Sequence, residues 1–232
     1  QTPTATATPT PTATATPTPT PTPTPMPGEI LSQAQGAYRN GDWDHAESLY
    51  RSLMLLSSAS QDEAAQAILG LGQTLLASNK LSETISLLTD FITTTLQSGY
   101  VADAHLYLAD ALMAAGDPVA AMTHYEAVVQ AYPGLALYAR EWQGNAAFAA
   151  QEYESALEIY QACLGEAGTA SQQVFMWEKI ALTYAALNDY DNAMAAYDAI
   201  LDIARIAYYR ARIMYQAAET ALAFGENTEA YS

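Results

Sequence analysis

Residues 114–125 read AAGDPVAAMTHY, and five further stretches align beneath them: RNGDWDHAESLY (39–50), ASNKLSETISLL (77–88), AAQEYESALEIY (149–160), ALNDYDNAMAAY (186–197) and AFGENTEAYS (223–232). Each holds turn-forming residues, usually then an aromatic or apolar residue, a small residue three places on, and a bulky one four further. The small residues are Ala46, Thr84, Ala121, Ala156, Ala193 and Ala230, spaced 38, 37, 35, 37 and 37 apart. The bulky ones are Tyr50, Leu88, Tyr125, Tyr160 and Tyr197, and the last copy stops before its own. A fixed period of this size marks a stack of identical supersecondary units.

Close helix packing explains the pattern. A small side chain lets the second helix of a pair approach the first, and a bulky one a turn later fills the groove between pairs. Upstream of each turn lies another helix with its own small residue: Ala34, Gly72, Ala109, Gly144, Ala181 and Ala218. Ala, Leu, Gln and Glu dominate after residue 27, and all lose little entropy in a helix. The units resemble the tetratricopeptide repeat, whose closing proline is matched by Pro133 and whose early tryptophan is matched by Trp177. Leu81 and Thr84 depart from its usual aromatic and Ala. The resemblance implies an all-α fold, a right-handed TPR-like α-solenoid of about five and a half helix-turn-helix repeats. The boundaries expected are 28–60, 61–98, 99–134, 135–170, 171–206 and 207–232, with the last unit ending just inside its second helix. AYS is a poor polar cap, so the C-terminal face is expected to be truncated or covered.

Composition narrows the partners. A net charge of −17, with Lys80 and Lys179 the only lysines, repels phosphate backbones and argues against nucleic acid. The same charge disfavours anionic membranes, and no apolar run approaches the roughly 20 residues of a membrane span. Charged residues are only 14% of the chain while tyrosines number 16, a surface suited to lasting contact with protein or glycan. Cys163, the single cysteine, sits among apolar helix residues and reads as core.

Chemistry is hard to find. His45, His105 and His124 form no metal-binding spacing, and no nucleophile elbow occurs. Gly70 and Gly72 in LGLGQT lie within a helix and read as helix contact rather than a phosphate loop. The expectation is therefore a non-enzyme without catalytic, metal or cofactor residues. A ligand groove is expected along the first helices of the pairs, at Tyr38, Asp110, Glu141, Asn145, Phe148 and Glu178. Arg39 is the only cation near its start and several acids follow, so a carboxylate clamp is not expected.

The first 27 residues are different in kind. Thr occupies every even position from Thr2 to Thr24, with Pro or Ala between and no charge. Proline fixes φ and removes a donor, so this tail favours extended polyproline II. In that three-residue helix an alternating Thr is presented on every side. Thr2, Thr4, Thr6, Thr8, Thr10, Thr12, Thr14, Thr16, Thr18, Thr20, Thr22 and Thr24 are compositional candidates for O-glycosylation. Gln1 in place of Met fits a mature chain after removal of a signal peptide, or a start cut from within a longer sequence; export to the cell envelope or beyond is the expectation.

A second resemblance is shorter. ALYAREWQGNA (136–146), with Tyr138, Arg140, Glu141, Trp142, Gly144 and Asn145, looks like the repeat region of exported bacterial lytic transglycosylases. That kinship implies an accessory module for a peptidoglycan-cleaving domain that this sequence does not contain. The repeat pattern itself leads first to another expectation: a structural protein binding copies of itself end to end, with glycans on the tail.

Overall fold

A computed structural model describes residues 26–95 and 99–230, with side chains up to residue 225. The Thr/Pro tail and its candidate glycosylation sites lie outside the described residues. Eleven α-helices follow one another among the described residues: α1 (Pro27–Arg39), α2 (Trp43–Met54), α3 (Gln61–Ala77), α4 (Leu81–Thr94), α5 (Val101–Ala115), α6 (Pro118–Ala131), α7 (Ala136–Ala149), α8 (Tyr153–Glu166), α9 (Ala170–Ala186), α10 (Tyr190–Ile203) and α11 (Ala207–Ala230). A short 3₁₀ turn at Pro133–Leu135 carries the chain from α6 into α7. Each helix packs on the next in sequence, and the first helices of neighbouring pairs also meet, α1 with α3 and α3 with α5. Such nearest-neighbour packing makes a one-dimensional stack.

The five turns inside the pairs are built alike. Gly41, Asn79, Gly116, Gln151 and Asn188 all take positive φ, and the next residue opens the second helix. That next N–H reaches back five residues, from Asp42 to Ala37, Lys80 to Leu75, Asp117 to Leu112, Glu152 to Ala147 and Asp189 to Tyr184, at 2.8–3.0 Å. This is the Schellman closure of a helix C-terminus. Asp42, Asp117 and Asp189 then cap the new helix by accepting from the N–H of His45, Ala120 and Asn192. Between pairs the caps are different: Ser60 with Glu63 and Thr169 with Gln172 form reciprocal capping boxes.

Gln151 is the exception in this set, a long side chain held at φ 63 where Gly or Asn stands elsewhere. A left-handed residue with a Cβ costs roughly 1–2 kcal/mol, partly offset by the entropy a glycine loses on folding. Gln151→Gly is therefore expected to raise stability by about 0.5–1 kcal/mol, read as a higher urea midpoint with an unchanged slope. A lower midpoint would mean the Gln151 side chain contributes more than its backbone costs.

The core follows the repeat. Ala46, Thr84, Ala121, Ala156 and Ala193 are fully buried, and Tyr50, Leu88, Tyr125, Tyr160 and Tyr197 nearly so. Opposite them, backbone comes close. A Cβ on Gly70 would lie 2.3 Å from the Tyr50 ring, one on Gly72 2.9 Å from Leu88, and one on Gly144 2.7 Å from Tyr160. The pair in LGLGQT is thus a helix contact. Cys163 is buried in the α7–α10 core, and that burial pushes its thiol up to about 11.

The sixth unit departs from expectation. A turn was expected within AFGENTEAYS, but α11 runs unbroken through Gly225 to Ala230. In the preceding pairs the turn is accompanied by a second helix packed on the first. Among the described residues, α11 is packed chiefly on α10, and Ala218, which would receive such a helix, is exposed. Without that docking, helix propagation wins over the turn.

Candidate functional site

The six groove residues expected from sequence stand on the first helices α1, α5, α7 and α9, with none on α3, and most are occupied. Tyr38 of α1 packs against the N-terminal core. Asp110 of α5 accepts a 2.7 Å hydrogen bond from the Tyr125 hydroxyl. Burial raises the Asp110 carboxyl above its ordinary range, and this hydroxyl opposes the rise. Glu141, Asn145 and Phe148 share one face of α7. There Tyr160 donates to Asn145 Oδ1 at 2.8 Å, and Asn145 donates onward to Glu141 at 3.2 Å. Phe148 meets Tyr153 edge-on with ring centroids 5.3 Å apart. Among the described residues no hydrogen bond joins members of this set on different helices. Asp110 and Asn145 act as acceptors that let a tyrosine ring be buried with its hydroxyl satisfied.

Glu178 leads to a more complete site. Its carboxylate accepts from the Tyr209 hydroxyl and from the Arg212 guanidinium, tying α9 to α11. Burial first, and then the Glu178 bond, push the Tyr209 phenol well above its usual range. Beside this pair a cavity of about 460 Å³ opens between the two helices. Val174, Phe175, Ile203 and Ile206 supply its apolar wall, and Arg205 stands at its edge. Arg205 has no hydrogen-bond or ion-pair partner among the described residues. An apolar slot with one unmatched guanidinium suits an apolar side chain next to an acid.

Sequence reading placed Glu178 near a groove and overlooked the rest. The overlooked signal is charge clustering: Arg205, Arg210 and Arg212 are three of only eight basic residues in the chain, within eight positions and with no acid among them. Arg210 donates to the Leu201 and Ala204 carbonyls, so it anchors the α10–α11 connection rather than the slot.

Around the slot the apolar surface continues. Tyr208, Tyr215 and Leu222 on α11 are 83%, 63% and 64% exposed, and Met214 is exposed as well. At the opposite end of the stack Trp43, Met54 and Leu55 of the first pair are exposed. The first pair also carries Glu29, Asp42, Asp44 and Glu47 against Arg39 and Arg51. Both ends therefore carry exposed apolar surface, with acidic side chains on the first pair and Arg205 beside the slot at the other end.

The residues of the ALYAREWQGNA stretch have packing partners. Arg140 pairs with Glu166 across the α7–α8 pair, Trp142 packs on Tyr125 at 6.1 Å, and Gly144 and Asn145 both meet Tyr160. Among the described residues no helix is long and apolar enough to cross a membrane.

Comparison with known proteins agrees with this architecture. Tetratricopeptide-repeat family models match residues 102–143 and 177–204. No curated protein matches the chain. Among solved structures, MamA (41 to the end) from Desulfovibrio magneticus RS-1 has 13% identity and a TM-score of 0.64, over 76% of this chain and 94% of that one. YrrB, described as a TPR protein with an unusual peptide-binding site, has 16% identity and a TM-score of 0.62, over 81% and 91%. BtubC from P. vanneervenii has 16% identity and a TM-score of 0.61, over 76% and 78%. At such identities the likeness establishes the fold, a TPR-like α-solenoid, and no more.

Proposed function

We propose that this chain is a non-enzymatic, exported scaffold whose principal partner is another copy of itself, joined end to end into a filament that carries glycans on its Thr/Pro segment. The exposed apolar face of α11, with Tyr208, Tyr215 and Leu222 outward, carries this reading. Contiguous apolar surface of this kind marks an interface. The first pair of a second copy offers apolar Trp43, Met54 and Leu55 and an acidic edge toward Arg205. A head-to-tail contact between identical units does not close on itself, and so propagates.

Sedimentation and electron microscopy of the native protein test this directly. The wild-type chain is expected to form concentration-dependent polymers, and Tyr215→Lys with Leu222→Lys to leave monomers of unchanged helicity. A wild-type chain that stays monomeric at high concentration would sink the proposal. Mass spectrometry of the 1–27 segment is expected to show hexose on Thr. The second reading, an accessory module of a lytic transglycosylase, draws on the ALYAREWQGNA resemblance. It requires monomers that bind purified peptidoglycan.

A further inference from the structure

His105 on α5 and His124 on α6 face one another with their Nδ1 atoms 2.8 Å apart, ring centroids 5.0 Å apart and planes inclined by 35°. Counted from the small residues of the repeat, they stand where the first pair has Ile30 and Leu49 and the second has Ile68 and Leu87. Ile30 and Leu49 share the N-terminal core. An apolar contact in the earlier pairs is thus replaced in the third by a single hydrogen bond. Both rings are half-buried, so protons from solvent reach them.

The number of protons decides whether that bond survives. Between two neutral rings one Nδ1–H donates to the other Nδ1, and the accepting ring carries its own proton on Nε2. A first added proton takes the free Nε2 of the donor ring. The bond then persists with a charged donor, which strengthens it. A second proton has only the accepting Nδ1 left. Filling it sets two N–H groups head-on and a positive charge on each ring, and no bond remains. We propose that His105 and His124 form a two-step acid switch, in which the first proton is kept within the contact and the second forces the rings apart and loosens α5 from α6.

No described charged group offsets the second proton. Those on the helices packed here are Asp62 and Glu63 on α3, Glu83 and Asp90 on α4, Asp103 and Asp110 on α5, Glu126 on α6, and Arg140 and Glu141 on α7. None of them acts on either ring. Burial lowers the proton affinity of both, and for His124 the charge of His105 lowers it further. The folded-state values therefore lie below the ordinary histidine value of about 6.5. By linkage, the contribution of the uncharged pair is complete above that value and is lost as pH falls through the folded-state values. Asp110 acts in the opposite sense, because burial raises its carboxyl and its protonation favours folding. Substitution of the rings is what separates the two effects.

The test uses the full chain, with magnetic resonance of the imidazole nitrogens, urea denaturation and hydrogen exchange from about pH 8 to 5 and below. His105 and His124 are expected to titrate as one coupled pair in two steps. The folding equilibrium constant should fall about tenfold for each unit by which a ring's affinity lies below the ordinary value. His105→Ile with His124→Leu installs the side chains of the second pair and is expected to remove that part of the fall, whereas His45→Gln leaves it in place. In the wild-type chain, acid should abolish exchange protection in α5 and α6 before α9 and α10. Should the double variant not fold, the nitrogen titration and the order of exchange in the wild-type chain still decide. Two independent single-step rings, an equal fall in the double variant, or protection lost first outside α5 and α6 would each overturn the switch.

Discussion

Tyr160→Ala is expected to cost about 3–5 kcal/mol of stability, the range for emptying a buried aromatic site. Tyr160 is 1% exposed, lies against Gly144 and donates its hydroxyl to Asn145. Truncation leaves a cavity between α7 and α8 and an amide oxygen without its donor. A paired substitution isolates the contact. In the wild-type background Gly144→Ala puts a Cβ 2.7 Å from Tyr160 Cε1 and 3.2 Å from Ile159 Cγ2. A buried ring cannot swing aside, so overpacking of about 1–3 kcal/mol is expected to outweigh the ~1 kcal/mol gained in helix propensity. With Tyr160 already Ala the ring clash is gone, the 3.2 Å approach to Ile159 Cγ2 can relax by a few tenths of an ångström into the vacated space, and the propensity gain remains. Gly144→Ala should then stabilise. Urea denaturation of the four proteins, with hydrogen exchange on α7 and α8 to localise the loss, checks the reversal. Equal effects in both backgrounds would show that the ring is not what keeps position 144 glycine.

Tyr125→Phe is the second large effect, because its hydroxyl serves a carboxylate. Losing a hydrogen bond to a half-buried charged acceptor costs about 1.5–3 kcal/mol, and that loss is expected at pH 7.5. The pH dependence follows from linkage. Burial holds the folded-state Asp110 carboxyl above its unfolded value, so ionisation of Asp110 opposes folding and its protonation favours it. Removing Tyr125 raises the folded-state value further. The difference between the two proteins should be largest above that value and narrow as pH falls toward the ordinary carboxylate range near about 3.9. It should approach the roughly 1 kcal/mol of a neutral hydrogen bond. Chemical denaturation of both proteins across this range is the measurement. A gap that stays constant with pH would mean Asp110 is already protonated at neutrality.

The core of the fold was readable because the signal repeats. Position 46 and its equivalents are small in every copy, and every equivalent whose side chain is described is fully buried. The turns were readable only as turns. That Asn79, Gln151 and Asn188 adopt the same left-handed φ as Gly41 and Gly116 depends on the i to i−5 bond, which leaves no residue preference strong enough to see at Gln151. Asp110 and Asn145 looked like groove residues because polar side chains on a first helix normally face solvent. Their tyrosine partners lie 15 positions downstream, across a turn, and that distance hides the pairing. The slot between α9 and α11 escaped for a related reason. Phe175 belongs to the unit 171–206 and Tyr209 to the unit 207–232, and the two line one cavity only once the stack is formed. The unbroken α11 was not foreseen because Gly225 stands where the earlier turn residues stand. The turn is a property of two docked helices as much as of the residue.

The identical turn closures bear on how such a chain can change length. Gly41–Asp42 and Gly116–Asp117 carry the same backbone conformation and the same aspartate cap. A gene rearrangement that crosses over between these two codon pairs deletes two whole units and rebuilds an unaltered Gly-Asp joint. The reciprocal product gains two units, again with no foreign junction. Length in this architecture can therefore vary in whole modules, with each exchange writing its seam into a turn that already exists.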